Sequence, residues 1–164
     1  MTWNGIREKP HRLHKPLYRG EIQCSFTSKL QSREKYFASE AIFRSHEQIL
    51  LEALTHMGCE AHIYLFMPDH LHVVIEGTNE GADVRACMSR FKQRSGYALA
   101  QLAGGPRWQK DFYDHIIRND RELRQQLNYI LLNPVRAGLA ASWRDYPYWG
   151  STIYSREQLI QGVR

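Results

Sequence analysis

Residues 59–77, CEAHIYLFMPDHLHVVIEG, limit the fold more than any other stretch: two apolar runs rich in β-branched and aromatic side chains stand only Pro68 and Asp69 apart. A hairpin is the natural connection for such a pair, with strands over Glu60–Met67 and His70–Gly77. Alternation along the second strand sends Leu71, Val73 and Ile75 to one face, where they anchor it in a core. His70 and His72 share the other face.

The flanking sequence supplies partners for that hairpin. Ile22, Cys24 and Phe26 alternate with Glu21, Gln23 and Ser25, which predicts a half-buried strand over Leu17–Phe26. Ser39 can cap a helix whose apolar stripe is Ile42, Ile49, Leu50, Ala53, Leu54 and Met57, ended by Gly58. Asp83–Leu102 places Val84, Cys87, Phe91, Ala98 and Leu99 at helical spacing, with Arg85, Arg90, Lys92 and Arg94 on its polar face. Phe112–Ile117 reads as a fourth strand. Asp120 can cap a third helix with the stripe Leu123, Leu127, Ile130 and Leu131, closed by Pro134. The order predicts an α+β fold of ferredoxin-like type: an antiparallel sheet with a βαββαβ core, helices on one face and an additional C-terminal helix bearing Tyr129. At 164 residues one domain is expected, with a basic arm over 1–16, a core over 17–142 and a tail over 143–164.

Charge narrows the partners. Lys and Arg number 22 against 17 Asp and Glu, a net charge of +5 that suits a polyanion such as nucleic acid. Cys24, Cys59 and Cys87 are odd in number and far apart, which argues for reduced thiols and against a thiolate metal site. No apolar segment follows the basic N-terminus as a signal peptide would require, and no run approaches a membrane span. A cytoplasmic protein with no membrane role is expected.

The chemistry-bearing residues sit in two places. His70 and His72 can grip one ion together, but two ligands do not complete a site. His46, His56, His62 and His115 are candidates for a third. Val74 stands where a third alternate histidine would be needed for an HxHxH hydrolase, and a single HxH without an HxT partner weakens a two-histidine phosphoesterase. Tyr129 and Asn133 lie four residues apart on the third helix, away from its apolar stripe. A tyrosine hydroxyl facing a phosphodiester is a sensible nucleophile, because covalent attack divides one hard transfer into two easier ones. Asn133 offers an amide oxygen as a further ligand.

The segments FMPDHLHVVIEG, DHIIRND and YILLNPVRAGLA followed by YPYWGS occur in this order between Tyr18 and Ser151. In them the chain resembles the REP-associated tyrosine transposases, members of the single-tyrosine HUH transposases that act on single-stranded DNA. The resemblance implies a ferredoxin-like palm, with His70 and His72 as the histidine pair, Tyr129 as the catalytic tyrosine and Asn133 as the third ligand of Mg²⁺ or Mn²⁺. Imidazoles by themselves suit later transition metals better, so the cation comes from the resemblance. It also implies a single-stranded substrate beside a REP-type hairpin and a 5′-phosphotyrosine intermediate. In relatives the tyrosine helix can be exchanged between subunits, which is compatible with a homodimer. Arg12, Lys15, Lys92, Arg94, Arg118 and Arg136 are candidate phosphate contacts. The alternative is a hairpin-DNA-binding module that no longer cuts.

Overall fold

The structure, a computed structural model, describes residues 14–102 and 104–162. Its elements are β1 (Gln23–Lys29), α1 (Glu40–Met57), β2 (Cys59–Met67), β3 (His70–Gly77), α2 (Val84–Ala100), β4 (Tyr113–Ile117), α3 (Asp120–Leu131), the single turn α4 (Asn133–Arg136), β5 (Trp149–Gly150) and α5 (Arg156–Gly162). The strands form one antiparallel sheet in the order β4-β1-β3-β2-β5. The first four strands and α1 and α2 reproduce the expected βαββαβ core, and β5 is an addition from the tail. Two residues of strand carry too little pattern to be read from sequence.

The hairpin forms as its composition dictates. Met67 pairs with His70 across Pro68 and Asp69, and β3 becomes the centre of the sheet, hydrogen-bonded to β1 and β2. β2 departs from simple alternation: Ala61 pairs with Ile75 and Ile63 with Val74, so His62 is an extra residue. That bulge changes the phase of the strand. Ala61, Tyr64 and Phe66 reach one face, while Ile63, Leu65 and Met67 reach the other.

The helices begin and end where local chemistry allows. The Ser39 side chain accepts from Ile42 N, and Gly58 ends α1 in the left-handed region at φ 65°. The buried stripe of α1 is Phe43, His46, Leu50, Ala53 and Leu54. It is rotated from the expected one, so Ile42, Ile49 and Met57 flank the core instead of centring it. Asp83 caps α2 through Ala86 N at 2.8 Å. Asn119, one residue before the expected Asp120, caps α3 through Glu122 N at 2.9 Å. The first strand begins at Gln23; Leu17 and Tyr18, assigned to it by alternation, belong instead to a 3-10 turn over Lys15–Tyr18 with Pro16 near its start.

Both faces of the sheet are covered, by different material. α1 and α2 lie on the face of Phe26, Phe66, Leu71, Val73 and Ile75. Phe66 is fully buried there, with ring centroids 5.2 Å from Phe37, 5.6 Å from Phe43 and 6.3 Å from Phe91. On the opposite face, Ile63, Leu65, Met67, Val74 and Ile117 pack under Leu123, Leu127, Ile130 and Leu131 of α3 and under Trp143, Tyr146, Trp149 and Leu159. The tyrosine helix therefore lies on the face to which β3 sends His70 and His72. Among the described residues no helix is long and apolar enough to cross a membrane.

Candidate functional site

β3 holds the two imidazoles rigidly because its alternate residues are fully buried under α1 and α2. The Nε2 atoms of His70 and His72 lie 3.1 Å apart, with the rings at 86°. Each ring is fixed from behind. Nδ1 of His70 donates to Asp69 Oδ1 at 2.5 Å, and Nδ1 of His72 lies 2.9 Å from the Thr27 hydroxyl. Thr27 stands there because β1 pairs it directly with His72. Asp69 also accepts from Arg33 Nε at 2.7 Å. A carboxylate only accepts, so the proton of His70 sits on Nδ1 and its Nε2 lone pair faces the cleft.

Burial dominates the titration of the pair. It pushes His72 down to about 3, helped by the charges of His70, Lys29 and Arg136. Burial also lowers His70, against the raising pull of Asp69. For Asp69 burial pulls upward, but the bonds from His70 and Arg33 carry it below the usual carboxylate range. At neutral pH the arrangement is thus two neutral imidazoles backed by one carboxylate.

α3 and the turn that follows it bring the other two residues. It ends at Leu131, and Asn133 opens the separate turn α4, in which Pro134 takes an early position that needs no donor. Asn133 is therefore not part of the tyrosine helix, as four-residue spacing had suggested. Its side-chain amide nevertheless lies 2.5 Å from Nε2 of His72. The amide oxygen and nitrogen of an asparagine exchange places by a simple flip, so this group can equally present oxygen to the same point. Tyr129, 56% exposed, stands on the cleft wall of α3. The Arg136 guanidinium covers its ring at 4.1 Å and donates through Nη2 to the Tyr129 carbonyl. Among the described residues nothing hydrogen-bonds the Tyr129 hydroxyl.

His70, His72, Tyr129 and Asn133 thus line one cleft of about 550 Å³, within a single chain. Its other walls are Ser25, Thr27, Lys29, Arg33, Tyr113, Gln126 and Ile130. The remaining candidate ligands lie elsewhere. His62 bonds Glu76 and Tyr154, His115 bonds Glu122, His46 is buried between Tyr36 and Phe37, and His56 is exposed on α1. No three His, Cys, Asp or Glu side chains converge among the described residues. Two imidazole nitrogens and an amide do, and they fit a divalent cation: donors 3.1 Å apart subtend about 95° at an ion about 2.1 Å from each.

The cationic candidates divide. Arg12 lies outside the described residues. Lys15 and Arg118 are exposed, on the turn before β1 and at the entry to α3. Lys92 donates to the carbonyls of Gln109 and Lys110 at 2.6 and 3.1 Å, and Arg94 pairs with Glu52 at 3.8 Å. Of the described candidates only Arg136 touches a wall of the cleft, through Tyr129. The cleft's own cations, Lys29 and Arg33, were not singled out from sequence. Nor were Thr27 and Asp69, although Asp69 sits in the hairpin turn itself.

The sequence profile of the family described as "Transposase IS200 like" matches residues 20–131, which include both histidines and Tyr129 and stop short of Asn133. A Haemophilus influenzae protein assigned to the REP-associated tyrosine transposases is 28% identical over 141 residues, covering 75% of this chain and 76% of that protein. The Escherichia coli REP-associated tyrosine transposase is 26% identical over 91 residues, covering 54% and 52%. A solved structure of a REP-associated tyrosine transposase bound to a REP hairpin superposes with a TM-score of 0.74 at 22% identity, over 93% of this chain and 86% of that one. The shared architecture and a profile running from β1 through the tyrosine helix lead to one assignment: the chain belongs to the family of IS200-like transposases and has REP-associated tyrosine transposases among its relatives.

Proposed function

We propose that this chain nicks single-stranded DNA and rejoins it to another end through a 5′-phosphotyrosine on Tyr129. One observation carries the reading: Tyr129, Asn133 and the His70–His72 pair, far apart in sequence, line the same cleft. The phenolic oxygen of Tyr129 bonds to the scissile phosphorus as the bond to the 3′-oxygen breaks. The phenol proton passes to solvent, and the departing oxygen takes one up as a 3′-hydroxyl. One phosphodiester replaces another, so the reverse attack by a new 3′-hydroxyl needs no external energy source.

Each nearby group has a part. His70, His72 and Asn133 would hold Mg²⁺ or Mn²⁺, whose charge offsets that developing on the phosphoryl oxygens. Asp69 and Thr27 fix the imidazole orientations. Arg136 keeps the Tyr129 ring against the end of α3. Lys29 and Arg33 neutralise phosphates along the wall. A hairpin beside the single strand is the substrate form proposed here, by analogy with the hairpin-bound structure of similar fold.

The test is a covalent trap. Hairpin DNA with a single-stranded flank, incubated with the protein and Mn²⁺, should give an adduct that survives denaturation. Tyr129→Phe, His72→Ala or a chelator should each abolish it. An adduct undiminished by Tyr129→Phe would refute the assignment.

A further inference from the structure

Two exposed tyrosines share the cleft, and the mechanism uses one. Tyr113 is the other. It opens β4, the edge strand, and pairs with Thr27, which in turn pairs with His72. Tyr113, Thr27 and His72 therefore form one row across three strands. The row sets the Tyr113 backbone about 10 Å from that of His72, two strand spacings away.

The environments of the two tyrosines differ. Arg136 already covers the Tyr129 ring. Tyr113 is 67% exposed, and among the described residues its ring has no aromatic or cationic partner and its hydroxyl no hydrogen bond. It belongs to neither buried cluster. An uncovered aromatic face is thus presented to a cleft whose cations are Lys29 and Arg33. That combination matches an unpaired nucleotide, which offers a phosphate and a bare π-face together. A duplex keeps its base faces stacked inside.

We infer that Tyr113 is the platform on which an unpaired base, one neighbouring the scissile phosphate, stacks. The inference rests on the reading that single-stranded DNA occupies this cleft, and deepens it by naming what holds the base. Stacking needs the ring and not the hydroxyl. It therefore predicts a different substitution pattern from that of a nucleophile, for which the hydroxyl is indispensable.

Fluorescence anisotropy with a labelled single strand of about 16 nucleotides, and with the duplex of the same sequence, tests this. Tyr113→Ala should weaken single-strand binding roughly tenfold, leave duplex binding unchanged and preserve the slope of affinity against salt. Tyr113→Phe should bind like the unsubstituted protein. The inference is overturned if Tyr113→Ala binds the single strand within twofold of the parent, if the duplex loses as much, or if Tyr113→Phe is as weak as Tyr113→Ala. The Mn²⁺ adduct assay keeps the two ideas apart. The tenfold pattern with no adduct from any form sinks the nicking mechanism and leaves the platform standing. An adduct lost in Tyr113→Phe but kept in Tyr129→Phe makes Tyr113 the nucleophile and overturns both.

Discussion

Asp69→Asn asks whether the hairpin turn orients a cation ligand. The carboxylate holds the His70 proton on Nδ1, 2.5 Å away, which leaves Nε2 free to accept a cation. An amide at the same place has a choice. It can accept from Nδ1 through its oxygen, or donate to Nδ1 through its nitrogen. The second choice moves the imidazole proton to Nε2, where it excludes a metal. The first keeps the tautomer but exchanges a charge-assisted bond for a neutral one, about half as strong. Losing an outer-sphere partner of this kind costs 10- to 100-fold in metal affinity, so a loss of about thirtyfold, about 2 kcal/mol, is expected. Arg33, deprived of its anion, pushes the same way by leaving an uncompensated positive charge on the wall. Global stability should barely move, since the Arg33–Asp69 pair is partly exposed and such pairs contribute about 0–1 kcal/mol. Titration with Mn²⁺ at pH 7.5, following free ion by electron paramagnetic resonance, gives the affinities, and urea denaturation gives the control. Affinity for Mn²⁺ within threefold of the parent would refute the reasoning, because the turn carboxylate would then not govern the imidazole.

Three further outcomes follow from the same geometry. Phe66→Ala removes a fully buried ring from among Phe37, Phe43 and Phe91 and should cost about 3–5 kcal/mol in urea denaturation. Burial lowers the His46 pKa against the raising bond to the Ile42 carbonyl, so below its ordinary 6.5 the unfolded chain binds a proton that the folded chain refuses. The urea midpoint should therefore fall as pH is lowered from 7.5 to 5.5, and His46→Phe should flatten that fall. Glu122 accepts from His115 and from Arg118 N, tying the start of α3 to β4. Glu122→Gln should slow adduct formation at Tyr129 while leaving Mn²⁺ affinity unchanged, as measured in the trapping and titration assays.

The hairpin was legible because β2 and β3 are apolar enough to be strands whatever surrounds them, and the turn residues left one connection. Alternation also put His70 and His72 on one face, since only β3 itself enters that argument. What needed a second strand was hidden. The extra residue at His62 exists only relative to β3, and it puts Ala61 on the face opposite to that of Ile63 and Leu65. Thr27, Lys29 and Tyr113 reach the cleft through the registers of β1 with β3 and β4, which periodicity does not specify. For α1 the apolar residues run partly around the helix, so counting them set the stripe a residue away from Phe43 and His46. Tyr129 and Asn133 were legible as a pair facing away from the α3 stripe, but the pre-proline break that puts Asn133 on its own turn left the spacing intact and altered the element.

Why the cleft opens where it does follows from how unequally the tyrosine-helix face is covered. Over β2 the tail packs Trp143, Tyr146, Trp149 and Leu159 onto Ile63, Leu65 and Met67, all buried. Over β1 and the start of β4 the same face carries Ser25, Thr27, Lys29 and Tyr113, which give an apolar tail little to bury against. α3 straddles the boundary, with Leu127 and Leu131 in the covered half and Tyr129 on the open side. The polarity of β1 thus decides how far the tail spreads, and with it the width of the cleft beside His72. Extending the apolar cover would stabilise the sheet by burying more surface, but it would close the site that the four residues share. On the function proposed above, this uncovered strand face is what would let a polymeric substrate lie across β4, β1 and β3 and reach Tyr129.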